Sequence, residues 1–130
     1  DFIRKLKENP KKLAILGDGT QSKSYIHVDD VLDAIFLVSE KTNDTVNVYN
    51  AATGDYITVT EIADLVIEEM GLKDVVYEYS GGNRGWKGDV PIVRFNLDKI
   101  KKLGWKCKYS SKEALRRSIK QMLGTEAAVK

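Results

Sequence analysis

The segment 30–41 most constrains the fold, because it is predicted to be a helix that is apolar on almost every side. Its apolar side chains are Val31, Leu32, Ala34, Ile35, Phe36, Leu37 and Val38. Asp29 or Asp30 is expected to cap the helix, since a carboxylate accepts free N–H groups and complements the helix dipole. Such a helix is buried on two sides. We therefore expect it to pack on its own domain and on a further surface as well.

The stretch before this helix, Gly17–Asp30, reads GDGTQSKSYIHVDD and joins a turn to the helix start. Its Gly-Asp-Gly sequence favours a turn, because glycine tolerates positive φ. The apolar run Leu13–Leu16 before the turn predicts a buried strand. Ser24–Val28 after it is rich in β-favouring side chains and predicts a second strand. The sequence therefore predicts a hairpin between these two strands.

The rest of the chain alternates predicted helices and strands. The predicted elements are a helix at 2–8, a strand at 46–50, a helix begun by the capping box Thr58/Glu61 and stopped by Gly71, a strand at 75–79, a short helix capped by Asn96 and stopped by Gly104, and a helix begun by the capping box Ser110/Glu113. The connections are long enough for parallel pairing of strands. We predict a mixed α/β (α+β) domain over 1–123 and a flexible tail over 124–130.

Composition excludes several classes of function. The net charge of +2 over 130 residues is weak support for nucleic-acid binding, and Lys5, Lys7, Lys11 and Lys12 fit an ordinary solvated helix face. The single cysteine, Cys107, and the single histidine, His27, exclude an internal disulfide and a Cys- or His-based metal site. We predict no metal, no membrane span, no signal peptide and a cytoplasmic location.

The segment Gly17–Ser24 imitates a phosphate-binding P-loop. It reads GDGTQSKS against the template G-x-x-x-x-G-K-[ST], with Ser22 in place of the second glycine. A P-loop needs that glycine and a following helix, whereas β-favouring residues follow Lys23. The G-x-G-x-x-G dinucleotide fingerprint and a Tyr-x-x-x-Lys pair are also absent from the sequence. We therefore expect neither a P-loop nor a dinucleotide cradle.

The loop from Ser80 to Pro91 is a better candidate for an anion site. It holds four glycines, so that a ligand can approach the backbone, together with Arg84, Trp86 and Lys87. Arginine suits bidentate contact with phosphate, and Lys23 could add a second charge. An ordinary surface loop in which Arg84 pairs with Asp89 and Trp86 anchors the loop fits equally well. Tyr25 and His27 are expected to pack on a strand face and not to act as catalysts.

Three stretches, taken in order, resemble one enzyme family. They are GDGTQSKSYIHVDDVLDAI, VYNAATGDYITVTEIADLV and GNRGWKGDVPIVRFNLDKIKKLGWKCKYSSKEALRRSI. Together they are similar to NAD-dependent nucleotide-sugar epimerases and dehydratases, the extended short-chain dehydrogenases that include UDP-glucose 4-epimerase. The resemblance covers about residues 2 to 123, and the chain opens inside an amphipathic pattern without an initiator Met. We expect it to be the interior of a longer polypeptide.

The resemblance implies that the chain is the C-terminal, substrate-binding portion of such an enzyme, without its Rossmann half. That half would hold NAD and the Tyr-x-x-x-Lys pair, and the intact enzyme would move a hydride between sugar and NAD. We therefore expect no cofactor and no catalytic residue on this chain, which should be inactive alone. The intact enzyme is expected to be a homodimer, and the isolated chain to self-associate through helix 30–41.

The same resemblance indicates the substrate-binding residues. Lys23 occupies the position of an arginine that contacts the diphosphate, and Tyr25 that of an aromatic residue beneath the substrate. Asp89 matches the acid of G-D-V-P, expected to bind ribose or to hold Arg84. Relatives often carry arginine where this chain has Trp86, so Arg84 is displaced by two positions.

Several functions stay open at this point. A UDP-sugar 4-epimerase-like enzyme is the leading interpretation. A dTDP- or GDP-sugar 4,6-dehydratase, a related reductase and a non-catalytic binding or interaction module are the alternatives. The sequence fixes neither the sugar nor the nucleobase.

Overall fold

The structure is a computed structural model that describes residues 1–90 and 92–124, within which it has five helices and four strands. The helices are α1 (Phe2–Glu8), α2 (Val28–Lys41), α3 (Val59–Glu69), α4 (Asp98–Lys102) and α5 (Ser111–Leu123). The strands are β1 (Lys12–Ile15), β2 (Ser22–Lys23), β3 (Ile57–Thr58) and β4 (Val76–Tyr79). This confirms the predicted mixed α/β class. Of the predicted tail 124–130, only Gly124 lies within the described residues.

The strands form two short pairs. β1 pairs with β4 in parallel, with Leu13 opposite Tyr77 and Ile15 opposite Tyr79. β2 pairs with β3 in the antiparallel sense, and Ser22 also forms a parallel bridge with Ile92. The predicted hairpin between 13–16 and 24–28 is therefore wrong. A parallel pair needs a long crossover, and the chain from β2 to α3 supplies it.

The turn at Gly17–Thr20 explains why no hairpin forms. Gly17 and Gly19 both have positive φ, and Asp18 accepts hydrogen bonds from the Thr20 N–H (3.0 Å) and hydroxyl (2.6 Å). The chain then runs to a different partner, where Val59 N–H donates to Gln21 O at 3.0 Å. Residues 24–27 are not a strand, and α2 begins directly after them at Val28.

α2 starts differently from the prediction. Its N-cap is His27, whose Nδ1 accepts the Asp29 N–H at 3.3 Å. Asp30 is not a cap: its side chain is fully buried, and its carboxylate accepts the N–H groups of Lys108 (2.8 Å) and Tyr109 (3.3 Å). The aspartate thus connects α2 to the segment before α5. A buried charge needs such partners.

Only one face of α2 is buried within the described chain. Ala34 packs in a cluster with Ala52, Leu97, Ile100 and Trp105. The opposite face leaves large apolar side chains exposed, namely Val28, Leu32, Ile35 and Phe36. The prediction that the helix is buried on two sides is therefore not met by these residues alone.

The main core lies between α1, α3, α5 and the parallel strand pair. Its buried members are Leu6, Leu13, Ile15, Ile57, Ala63, Leu65, Val66 and Ile119. Both predicted capping boxes, Thr58/Glu61 and Ser110/Glu113, are present at the starts of α3 and α5. These caps satisfy N–H groups that helix geometry leaves free.

Two further predictions lie between α2 and α4. The strand predicted at 46–50 is wrong, since the structure assigns none there; Val48 O instead accepts a hydrogen bond from Lys99 Nζ at 2.8 Å. The cap predicted at Asn96 is wrong by one residue, because the N-cap is Leu97 and makes no side-chain cap hydrogen bond; Asn96 Oδ1 accepts the Asp98 N–H at 2.9 Å from one position earlier. The helix itself begins at Asp98.

Candidate functional site

A cleft of about 390 Å³ lies between β2 and the segment after β4. Its lining residues are Lys23, Ser24, Trp86, Gly88, Asp89, Val90, Val93 and Phe95. We call it the Lys23 cleft. It combines one ion pair with aromatic and aliphatic walls, the usual makeup of a small-molecule site.

The ion pair joins Lys23 of β2 to Asp89 of the loop. Lys23 Nζ donates to Asp89 Oδ1 at 2.5 Å, and Gly85 N–H donates to Asp89 Oδ2 at 3.1 Å. The Asp89 side chain is 8% exposed and that of Lys23 is 40% exposed. The hydrogen bond from Lys23, followed by that from Gly85, holds the pKa of Asp89 below its usual range. Asp89 therefore stays ionised and fixes both the lysine and the loop.

The loop is also held against the Gly17–Thr20 turn. Gly17 N–H donates to Ser80 Oγ at 2.8 Å, and Gly81 N–H donates to Gly17 O at 3.0 Å. A Cβ at Gly17 would lie 1.8 Å from Gln21 Nε2 and 3.0 Å from Arg84 O. A side chain at Gly17 would therefore displace the buried Gln21. Gly17 therefore allows the turn to pack closely against the loop.

The structure brings three of the five predicted substrate residues into one cleft, namely Lys23, Trp86 and Asp89. Trp86 is 67% exposed, so it does not anchor the loop by burial. Arg84 is exposed on the same loop but does not line the cleft. The Asp89 carboxylate contacts Lys23 and Gly85, so the expectation that it holds Arg84 is replaced by its pairing with Lys23.

Tyr25 lies away from the Lys23 cleft. Its side chain packs against the main core and lines a separate groove of about 310 Å³ between α1, α3 and α5. Its N–H donates to Ser111 Oγ at 2.9 Å. The prediction that Tyr25 and His27 serve packing agrees with this burial, although neither lies on a strand.

A chain of hydroxyl groups, which sequence spacing does not reveal, starts at Ser24. Ser24 Oγ lies 2.6 Å from Thr53 Oγ1, and Thr53 Oγ1 lies 2.9 Å from Ser111 Oγ. Ser111 Oγ donates to Asp55 Oδ1 at 2.7 Å, and Asp55 also accepts the Ser111 N–H. Because these residues are far apart in sequence, spacing does not predict that they meet. The sequence feature nearest to the hydroxyl chain is the Ser-Ser pair at the start of α5.

The Asp55 carboxylate ends this hydroxyl chain as an anion. Burial alone would raise the pKa of Asp55, but the hydrogen bonds that its carboxylate accepts, including those from the Ser111 hydroxyl and N–H, outweigh burial and lower the pKa below its usual range. An ionised carboxylate can only accept hydrogen bonds. Its charge therefore sets the direction of the bond from Ser111.

The glycines of this chain do not fit the pyrophosphate of NAD. A dinucleotide cradle needs a glycine-rich turn that opens into a helix N-terminus. Here β2 follows the turn, and the spaces that a Cβ would fill at Gly17 and Gly19 are taken by Gln21, Thr60 and Tyr79. The same geometry excludes a P-loop at Gly17–Ser24, because Lys23 lies in the strand β2 and not at the start of a helix.

Two kinds of feature are absent from residues 1–90 and 92–124. No group of three or more His, Cys, Asp or Glu side chains there could hold a metal ion. None of the helices in the described part of the chain is long and apolar enough to cross a membrane.

The exposed face of α2 borders a second, larger cavity. This groove of about 590 Å³ lies between α2 and the segment 42–51, and we call it the α2 groove. Val31, Ile35 and Val38 line it from the helix. Phe36, the residue after Ile35, does not line the groove and is 62% exposed.

Comparison with known proteins shows a consistent likeness. The sequence model of the GDP-mannose 4,6 dehydratase family matches residues 1–118. The chain is 29% identical to a putative UDP-glucose 4-epimerase of Methanocaldococcus jannaschii over 122 residues, covering 93% of this chain and 37% of that protein. The chain therefore spans little more than a third of the length of this curated relative.

Solved structures give the same result. A UDP-glucose 4-epimerase from Thermotoga maritima, solved with UDP-glucose, matches with a TM-score of 0.73 and 31% identity, over 95% of this chain and 38% of that one. A dTDP-glucose 4,6-dehydratase from Bacillus anthracis, solved with NAD, matches with a TM-score of 0.75 and 25% identity, again over 95% and 38%. The resemblance found in the sequence is confirmed.

Proposed function

Because this chain belongs to the GDP-mannose 4,6 dehydratase family of NAD-dependent nucleotide-sugar epimerases, dehydratases and reductases, we propose that it is the nucleotide-sugar-binding part of a UDP-sugar 4-epimerase-like enzyme. The observation that carries the proposal is the Lys23 cleft. It places the cation of Lys23 beside the exposed indole of Trp86 and the carboxylate of Asp89. A diphosphate, a flat base or sugar ring, and sugar hydroxyls are the groups that such side chains bind.

The proposed roles follow from the charges around the cleft. Lys23 neutralises the diphosphate, and Arg84 and Lys87, both exposed on the adjoining loop, add positive charge at its edge. Trp86 offers an exposed ring for stacking. Asp89 holds Lys23 in position and accepts a hydrogen bond from a ligand hydroxyl. These residues bind and orient a substrate, and orientation is a large part of catalysis.

We propose that NAD and the reacting groups belong to another part of a longer protein. The exposed face of α2 and the α2 groove would then pack on that part, since a soluble domain rarely leaves such a surface uncovered. The 130 residues alone are expected to be inactive, because they contain no Tyr-x-x-x-Lys pair. A homodimeric intact enzyme and a cytoplasmic location belong to the same proposal.

A calorimetric titration tests the binding function. UDP and UDP-glucose are expected to bind the 130-residue chain weakly, and Lys23→Met is expected to weaken binding about 10-fold or more through loss of a charge-assisted contact. Arg84→Ala should weaken it as well. Lys12→Met is the matched control, because Lys12 of β1 pairs with Glu78 of β4 and neither residue lines the cleft. ATP binding that depends on Lys23, with no binding of UDP, would support a P-loop instead.

The second candidate is a 4,6-dehydratase or reductase of the same family, which the name of the matching family model favours. Here dTDP or GDP would replace UDP as the nucleotide. Competition between UDP, dTDP and GDP for the Lys23 cleft distinguishes these candidates. If the chain is a non-catalytic binding module, none of the three nucleotides should show binding that depends on Lys23.

A further inference from the structure

We propose that Ser24 determines which part of the ligand lies beside it, because its hydroxyl accepts a hydrogen bond from a ligand hydroxyl and does not donate to a phosphoryl oxygen. The inference rests on the proposed function and refines it. It depends on the direction of each hydrogen bond in the chain from Ser24 to Asp55.

The first direction is set at the buried end of the chain. Ser111 Oγ lies 2.7 Å from Asp55 Oδ1, and the ionised carboxylate can only accept. Ser111 therefore uses its single proton on Asp55. Its oxygen also accepts the Tyr25 N–H at 2.9 Å, which leaves one further acceptor position.

The next two directions follow from the first. Thr53 Oγ1 is 2.9 Å from Ser111 Oγ, a distance that requires a proton between the two oxygens. Thr53 Oγ1 also lies 3.4 Å from Asp55 O, a longer and weaker contact. Since Ser111 has already donated its proton, the proton between Thr53 and Ser111 must come from Thr53. The same reasoning applies at 2.6 Å between Ser24 and Thr53, so Ser24 donates to Thr53.

Ser24 consequently has no proton left for the cleft. It also accepts the Thr53 N–H at 3.3 Å, and a hydroxyl oxygen has two acceptor positions, so one remains. A ligand hydroxyl can donate a hydrogen bond to this position. A phosphoryl oxygen can only accept, so it would meet the Ser24 oxygen with no proton between the two atoms. Lys23, the preceding residue, has the opposite preference because ammonium only donates. Lys23 thus favours the diphosphate of the ligand, and Ser24 favours a sugar hydroxyl.

The test compares ligands that lack one hydroxyl at a time. Binding of UDP-glucose and of its deoxy analogues, at each ribose and hexose position, is measured by calorimetry on the 130-residue chain and on Ser24→Ala. Removing one particular hydroxyl is expected to weaken binding to the unaltered chain about 2- to 12-fold, the range for one hydrogen bond. The same removal should leave the affinity of Ser24→Ala unchanged. Ser118→Ala is the control, since Ser118 bonds within α5 to Ala114 O.

A second variant tests the direction of the chain itself. In Asp55→Asn the amide can donate to Ser111, which allows all three hydroxyls to reverse and Ser24 to donate into the cleft. The penalty for the deoxy ligand should then shrink. This variant decides the matter if Ser24→Ala does not fold.

The outcomes separate the two proposals. If UDP-glucose binds with dependence on Lys23 but no deoxy penalty depends on Ser24 or Asp55, the role of Ser24 is wrong and the binding function stands. If UDP-glucose does not bind, both are wrong.

Discussion

At the scale of single residues, three aspartates connect segments that are far apart in the sequence. Asp30 accepts two N–H groups near Lys108, Asp55 holds Ser111 at the start of α5, and Asp89 holds Lys23. Each carboxylate is paired with donors, which is the condition for keeping a charge out of water. Asp30 lies in the first turn of α2 but does not cap that helix, whose N-cap is His27.

Replacing Asp30 should destabilise the chain strongly. Asp30→Ala leaves the N–H groups of Lys108 and Tyr109 without their acceptor in a buried place, and we expect a loss of about 2–4 kcal/mol in the free energy of unfolding. Asp30→Asn keeps one acceptor oxygen and should cost less. Urea denaturation followed by circular dichroism measures both variants. Equal losses, or none, would contradict this account of Asp30.

Asp89 gives a pH-dependent prediction. Its pKa is lower in the folded chain than in the unfolded one, so its stabilising contribution is present above the unfolded pKa, near 4, and is lost as pH falls through the lower folded pKa. Asp89→Asn should reduce the free energy of unfolding by about 1 kcal/mol at pH 7, a modest value because Lys23 is partly exposed. The difference from the unaltered chain should narrow below pH 4.

Urea titrations at pH 7 and pH 3 provide this measurement. Asp44→Asn, at an exposed loop position, is the control and should change stability little at either pH. A difference for Asp89→Asn that grows on acidification would show that the sign assigned to Asp89 is wrong.

At the scale of elements, α3 and α5 form the best-defined pair. Each begins with a complete capping box, and Arg116 of α5 contacts Glu68 and Glu69 of α3. The caps fix where each helix begins, and the apolar faces then fix how the helices pack. Because α5 begins at the hydroxyl chain, this packing also positions Ser24.

Removing one cap should destabilise without changing the cleft. Thr58→Ala removes the acceptor for the Glu61 N–H and is expected to cost about 1 kcal/mol, within the range for cap substitutions. Thr45→Ala, at an exposed position, is the matched control. Thermal unfolding measures both, and a Thr58→Ala variant as stable as Thr45→Ala would contradict the role of the box.

At the scale of the whole molecule, the exposed face of α2 is the feature that the described chain does not explain by itself. Val28, Leu32, Ile35 and Phe36 are all large, apolar and exposed. This surface is what a covering part of a longer protein, or a second copy of the chain, would bury. The likeness to a protein about two and a half times as long as this chain fits a covering part of a longer protein.

The isolated chain should therefore self-associate at high concentration. Replacing Ile35 and Phe36 together by lysine should shift it toward the monomer and reduce the binding of an apolar dye. Light scattering across a concentration series measures this. Met122→Lys is the control, because Met122 is an exposed apolar residue of α5 far from α2 in sequence. An unaltered chain that stays monomeric without dye binding would contradict the prediction.

The features that depend on neighbouring residues can be predicted from the sequence. The capping boxes at Thr58 and Ser110, the stop at Gly71 and the short helix after Asn96 are set by contacts a few residues apart, so spacing alone predicts them. The family resemblance belongs here too, because it rests on the order of three linear stretches. Lys23 and Asp89 follow from the same resemblance, and Trp86 follows from the composition of the loop from Ser80 to Pro91.

Which distant segments meet depends on the packing of the whole chain and could not be predicted from the sequence. Local propensity at 24–28 favours a strand, but the turn at Gly17–Thr20 sends the chain to β3 and the predicted hairpin gives way to a parallel pair. The buried carboxylate of Asp30, the pairing of Asp89 with Lys23, and the hydroxyl chain from Ser24 to Asp55 all join residues that no local period links. Contacts of this kind form because buried polar groups must find partners, and the partners are set by the packing of the whole chain.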